Sequence, residues 1–317
     1  MKRAHMAVVV VVFAAFMAVP LWITADYQLN ILFRIFLFAA LGLAWNLVGG
    51  YAGQLSLVHA AFFGIGGYGM SLFHDKLGVP SWPALLLAVV VAVLAAGAIG
   101  RVAFRLRGPY FALATIAFAE VLRHVAKNLQ FTGGDVGLQA PALFAGEISR
   151  SFYWAAVILT TIAFGLSEWT ARSRFGYYLM AIRENEDTAL AVGVPAPRYK
   201  LYAYLLSAAL TAIGGALYSS LFLYIVPDQV LSIDISNEIA IVAMLGGAGT
   251  LLGPIVGSFI LESASEIFKN LFREAHLLIY GILIVLVVLF LPEGIVGTAQ
   301  SLLRKRRTNP LGKAASR

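Results

Sequence analysis

Long apolar runs alternate with short polar punctuation along this chain. The runs fall at roughly 6–24, 29–49, 54–73, 82–104, 109–126, 152–171, 200–226, 237–261 and 276–291. Most approach the ~20 residues that a helix needs to cross a hydrocarbon core. None shows the ~10-residue alternation of a membrane β-strand, and in lipid only helices or closed barrels satisfy their own backbone groups. The pattern therefore predicts an all-α polytopic membrane protein.

Two runs are interrupted. Residues 49–69 read GGYAGQLSLVHAAFFGIGGYG and carry Gln54, Ser56 and His59 among the glycines. Residues 243–259 read AMLGGAGTLLGPIVGSF, with Gly246, Gly247, Gly249, Gly253 and Pro254 at the centre. Glycine and proline at this density predict a broken or re-entrant helix, tolerated at membrane depth only where it is buried in protein or lines a cavity. LVGGYAGQLSLVHAAFFG and LGGAGTLLGPIVGSF share a leucine, a glycine pair, a further glycine, a polar residue and then an apolar helix. That weak similarity is the mark of a transporter built from two related halves with its path between them. Close packing of helices through small residues explains the glycines equally well.

Composition agrees with the pattern. Hydrophobic residues make up 60% of the chain and charged ones 12%, and the mean hydropathy is +0.84, which excludes an ordinary soluble domain. The net charge of +7 raises nucleic acid as a partner, but the basic residues sit where a membrane topology wants them. They gather at Lys2 and Arg3, at Arg101, Arg105 and Arg107, in 172–200, and at Arg304, Lys305, Arg306 and Arg307. Alternate loops of this kind read as cytoplasmic, and no nucleic-acid motif accompanies them. Both termini fall on the cytoplasmic side if 243–259 returns to the outside. The absence of cysteine excludes disulfides and cysteine metal sites. The run 6–23 is read as a retained span, with a cleaved signal peptide as the alternative.

Outside the spans three segments stand out. Residues 131–150, FTGGDVGLQAPALFAGEISR, form a polar external loop. Residues 262–275, ESASEIFKNLFREA, predict an amphipathic helix on the membrane surface, with Ile267, Phe268, Leu271 and Phe272 on one side. Residues 173–200, SRFGYYLMAIRENEDTALAVGVPAPRYK, place Phe175, Tyr178, Leu179 and Ile182 at helical spacing before Arg183, Glu184, Glu186 and Asp187. That segment is either a solvated connector or a helix docking by its apolar stripe into a groove on a soluble partner. An Arg183–Asp187 pair one turn apart is the competing use of its charges. Glu120 and Arg123 read as an interfacial pair.

These motifs resemble the permeases of branched-chain amino-acid ABC transporters, of the LivM type within the binding-protein-dependent transport inner-membrane component family. The resemblance is carried by NLVGGYAGQLSLVHAAFFGIGGYG, RGPYFALATIAFAEVLR at 107–123, TGGDVGL at 132–138, SRFGYYLMAIRENEDTALAVGV, MLGGAGTLLGPIVGS at 244–258 and LPEGIVG at 291–297, in family order. Val58 departs from it, standing where the family usually has glycine. The resemblance implies a transmembrane helical permease of about eight full spans plus the broken helix, with pseudo-repeated halves. It implies one permease domain over 1–303, with a cytoplasmic coupling segment at 172–200 and a basic tail at 304–317. The implied assembly has a second, related permease, two cytoplasmic ABC ATPases and a periplasmic solute-binding protein, in the inner membrane and its lipid. The chain itself has no GxxxxGK[ST] phosphate loop; its nearest fragment is Gly312-Lys313-Ala314. No catalytic residue, metal or cofactor is expected.

The expected path residues are Asn46, Gln54, Ser56, His59, Gly246, Gly247, Gly249 and Thr250, because helix breaks free backbone groups that meet a passing zwitterion. His59 is as readily a packed, hydrogen-bonded side chain. The expected ATPase-coupling residues are Phe175, Gly176, Arg183, Glu184, Asn185 and Glu186. The expected solute is leucine, isoleucine or valine, with urea or a short amide as the alternative within the family. An ion-coupled secondary transporter would need carboxylates deep in the spans, and the sequence reading finds none. A structural anchor would not need two broken helices.

Overall fold

The computed structural model describes residues 13, 15–23, 25–272, 281, 285, 294–299 and 301. The run at 6–24 is thus described only in part. The span at 276–291 (apart from 281 and 285), the tail at 304–317 and the sides of the two termini lie outside the described residues.

Helix α1 (Asp26–Asn46) is the axis of the molecule. Every residue from Ile35 to Asn46 is buried, as expected of a helix that is apolar all round. It packs against α5 (Ile148–Arg172), α8 (Ala196–Phe222), α10 (Ile233–Gly246) and α11 (Gly253–Phe272). Between them come α2 (His59–Leu77), α3 (Ser81–Ala103), α4 (Pro109–Asn128), α6 (Arg174–Glu184), α7 (Glu186–Ala191) and the single turn α9 (Pro227–Val230). On α3 the small residues Ala84, Ala88, Ala92, Ala96 and Gly100 face inward at one-turn spacing, while Leu86 and Leu94 are 64% and 68% exposed. Large aliphatic side chains left bare on such a helix suit lipid, not water. Five helical stretches among the described residues are long and apolar enough to cross a membrane: Asp26–Tyr51, Ser81–Ala103, Ile148–Arg172, Ala196–Phe222 and Pro227–Gly246.

Three sequence expectations change. A two-residue antiparallel ladder, β1 (Leu138–Gln139) on β2 (Tyr224–Ile225), joins the 131–150 loop to the end of α8, so the chain is not strictly all-α. The run 54–73 does not start its helix at 54. A wide π-helical turn, Leu47–Tyr51, ends α1, and 52–58 is irregular until His59 opens α2. The third concerns 237–261 and 262–275. The break is real and spans 247–252, but 262–272 is no separate surface helix; it continues α11 without interruption.

Helices α10 and α11 form a tight antiparallel hairpin about that break. A Cβ on Gly257 would lie 2.0 Å from the Val242 carbonyl oxygen, so the two backbones touch. Contacts along α1 fix the direction of α11. Thr250 meets Asn46, Ser258 Oγ donates to the Ile35 carbonyl at 2.6 Å, Glu262 pairs with Arg34, and Tyr27 donates to Glu266. The chain therefore enters the break through α10 and returns through α11, antiparallel to α1. Both breaks thus lie at the same end of the bundle, opposite the β1–β2 ladder.

Candidate functional site

The two interruptions, far apart in sequence, meet around one amide. Asn46 is fully buried at the last position of α1. Its Nδ2 donates to the Thr250 carbonyl at 3.0 Å, and its Oδ1 accepts from the Gly249 amide at 2.7 Å. A side-chain amide has both a donor and an acceptor edge, so Asn46 acts as a missing backbone unit between two broken helices. Thr250 completes the second break: its hydroxyl donates to the Gly247 carbonyl at 2.7 Å and accepts from Gly253 N at 3.1 Å, capping α11. The glycines leave the room. A Cβ on Gly50 would come within 2.5 Å of Gly249 N, and one on Gly246 within 1.7 Å of the Gly253 carbonyl oxygen.

The irregular stretch 52–58 and the first turn of α2 are tied down from three sides. Trp45 Nε1 donates to the Ser56 carbonyl at 2.8 Å, Leu57 N donates to Thr115 Oγ1 at 3.1 Å, and Ala60 N donates to Ser236 Oγ at 2.8 Å. The last of these satisfies an orphan donor at the start of α2 with a side chain from α10, a second bond between the interrupted units. Gln54 is half-buried and donates to the nearby Ala52 carbonyl at 3.3 Å. His59 departs from the cluster. It is completely enclosed in the α2–α8 seam, with Nε2 2.9 Å from Ser207 Oγ and an edge-to-face contact with Phe62. Ser56 is likewise fully buried. The expected path residues thus divide: Asn46, Gly246, Gly247, Gly249 and Thr250 come together, while Ser56 and His59 sit in packed interior.

The 173–200 segment lies directly against the first break. Helix α6 is capped by Ser173 Oγ, which accepts from Gly176 N at 3.3 Å, and α7 by Asn185 Oδ1, which accepts from Thr188 N at 2.9 Å. Gly176 is required where α6 turns back on α5, because a Cβ would lie 1.8 Å from the Thr170 carbonyl oxygen. Phe175 stacks on Trp169 and leans on Tyr199. Of the apolar stripe expected to enter a partner's groove, Leu179 and Ile182 are buried in the chain's own interior, Phe175 is half-buried and Tyr178 is exposed. Among the side chains that α6, α7 and the turn after them leave exposed are Tyr177, Tyr178, Arg183, Glu184, Leu190 and Val192. The charges pair differently too. Asp187 accepts from Arg107 at 2.8 Å, Glu186 holds the buried Lys200 at 2.8 and 2.9 Å, and Arg183 Nη1 donates to the Gly50 carbonyl at 2.7 Å.

Sequence reasoning missed a charged cluster further along the same helices. Arg34 of α1 lies 3.1 Å from Glu262 of α11 and 3.9 Å from Glu238 of α10, and Glu262 is 4% exposed. Carboxylates are therefore present within the interrupted helices, contrary to the sequence reading. Charges there are expensive unless paired, and Arg34 supplies the pairing. The signal that could have found it is the lone arginine inside the apolar run 29–49. The Glu120–Arg123 contact is present at 2.7 Å, extended by Asp228 at 2.6 Å from Arg123.

Comparison with known proteins adds to this geometry. Residues 27–288 match the family described as branched-chain amino acid transport system / permease component. The chain is 28% identical to the high-affinity branched-chain amino acid transport system permease protein LivM of Salmonella typhimurium, over 88% of this chain and 72% of that one. It is 27% identical to the LivM protein of Escherichia coli over the same shares. With the LivH permease protein of E. coli it shares 25% identity over 82% of this chain and 91% of the other. No solved structure matches.

Proposed function

Because this chain belongs to the family of permease components of branched-chain amino acid transport systems, we propose that it is the membrane-spanning permease subunit of an ATP-driven importer. It passes leucine, isoleucine or valine across the inner membrane after delivery by a periplasmic binding protein. The observation that carries this reading is the meeting of two interrupted helices around Asn46, with an exposed cytoplasmic helix pair resting on the junction. Broken helices at a shared level are how transporter folds present backbone groups to a polar solute, and they support a construction from two related halves. Similarity to both LivM and LivH proteins supports a companion permease of related sequence. The ATPases would bind the exposed face of α6 and α7, where Glu184 and its neighbours point outward.

The test is to tag the chain, extract it gently from its native membrane and identify what co-purifies. P-loop ATPases and a second permease are expected with the wild type. Glu184→Arg should weaken ATPase recovery, whereas Glu186 is unsuitable for this purpose because it neutralises buried Lys200. Recovery of the chain alone, with proton-dependent uptake, would replace the importer by an ion-coupled transporter using Glu238 and Glu262.

A further inference from the structure

Arg183 stands at the last turn of α6 and, like Glu184 beside it, is exposed, yet the end of its side chain reaches away from the segment that carries it. Two of the acids that follow it are engaged elsewhere, Glu186 by Lys200 and Asp187 by Arg107. Its guanidinium instead donates to the Gly50 carbonyl in the turn that ends α1. A carbonyl at a helix C-terminus has no intrahelical donor and carries the negative end of the helix dipole, so a cation is the matched partner.

The glycines around it are spaced for that side chain. Gly53 adopts φ +68°, and a Cβ there would lie 2.8 Å from Arg183 Cγ. Gly249, in the other break, adopts φ +81°, and a Cβ there would lie 2.5 Å from Arg183 Nη1. One arginine thus fills the space that a glycine from each interrupted helix leaves open. Helix α6 cannot absorb a push by sliding, because Leu179 and Ile182 are buried and Gly176 abuts the end of α5.

We infer that Arg183 is a positioning residue that ties the 173–200 segment to both helix breaks, so that displacement of α6 moves the backbone at Gly50 and Gly249 together. The inference rests on the proposed importer role and deepens it. It gives Arg183 an inward task, leaving partner contact to Glu184 and the exposed side chains around it. Closure of an ATPase pair would then reach the Asn46 junction through a single charge-assisted bond, without any solute touching Arg183.

Two measurements on Arg183→Ala, Arg183→Gln and Arg183→Lys test this. In the complex purified through a tag on this chain and placed in liposomes, leucine uptake per ATP hydrolysed is measured beside the ATPase recovered per permease. In the purified chain alone, which has no native cysteine, Ala248→Cys is labelled with a water-soluble maleimide. Arg183→Ala and Arg183→Gln should lower uptake per ATP by about tenfold with ATPase recovery unchanged, and Arg183→Lys should restore part of it. Labelling at position 248 should rise by about tenfold in the same two variants as the break loosens. Unchanged labelling together with reduced ATPase recovery would overturn the inference and make Arg183 a docking contact. Unchanged labelling and unchanged uptake per ATP would overturn it as well. If the wild type recovers no ATPase the importer reading falls, while the labelling still decides whether Arg183 holds the breaks.

Discussion

A methyl group added at Gly66 would strike the Ala212 carbonyl oxygen of α8 at 2.0 Å, whereas one added at Gly53 would meet the Arg183 side chain at 2.8 Å. Both glycines belong to the same polar, glycine-rich stretch, but they serve different ends. Gly66 and, across from it, Gly215, whose Cβ would lie 1.9 Å from the Phe63 carbonyl oxygen, let two helix backbones close on one another. Gly50 and Gly53, with Gly249 opposite, keep a junction open enough for one amide and one guanidinium. The seam is backbone against backbone and has no way to yield. At Gly53 and Gly249 the junction is backbone against the Arg183 side chain, and a side chain can move.

That contrast predicts a ranking. Of the seam and junction substitutions that follow, Gly66→Ala should cost most, since overpacking against a fixed carbonyl costs about 3 kcal/mol or more. The check is the thermal midpoint of the purified protein in detergent, together with its yield; a wild-type midpoint would mean that α2 and α8 are not held at this distance. Asn46→Ala should come next, at about 2–3 kcal/mol, because it strands the half-buried Gly249 amide and Thr250 carbonyl at once. Asn46→Asp sharpens the point. It keeps an acceptor for Gly249 N but sets an oxygen against the Thr250 carbonyl, so it should not rescue the alanine loss in the same melting experiment. Gly53→Ala should cost less, about 1–2 kcal/mol, chiefly for holding alanine at φ +68°. Its larger effect should be displacement of Arg183, seen as faster labelling of Ala248→Cys.

The breaks themselves were legible in the sequence, because a cluster of glycine and proline inside an apolar run has few other meanings. Their meeting was not. Asn46 and Gly249 are 203 residues apart, and no local pattern states which amide an asparagine will find. Periodicity identified the apolar stripe of α6 correctly but not what covers it: Leu179 and Ile182 face the chain's own helices, not a partner. The same limit explains 262–272. Its charges alternate as a surface helix's would, and only Arg34, presented by a different helix, makes Glu262 tolerable in the interior. His59 looked like a path residue because a histidine among glycines suggests a ligand, yet Ser207 from α8 satisfies Nε2 inside the seam.

The seam and the junction can be separated further by two substitutions of small effect. Ser207→Ala removes the partner of His59 Nε2 without opening a large space, and should lower the melting midpoint by the equivalent of about 1 kcal/mol, with no change in labelling at position 248. Gly165, midway along α5, has ordinary helical backbone, and a methyl added there would have nothing within 4 Å. Gly165→Ala therefore meets neither a carbonyl nor a side chain, and alanine restrains the unfolded chain more than glycine does, so the midpoint should hold or rise by the equivalent of up to about 1 kcal/mol. A clear loss at Gly165 would mean that its exposed face is covered in the assembled protein, where a second permease packing on α5 would turn open space into another seam.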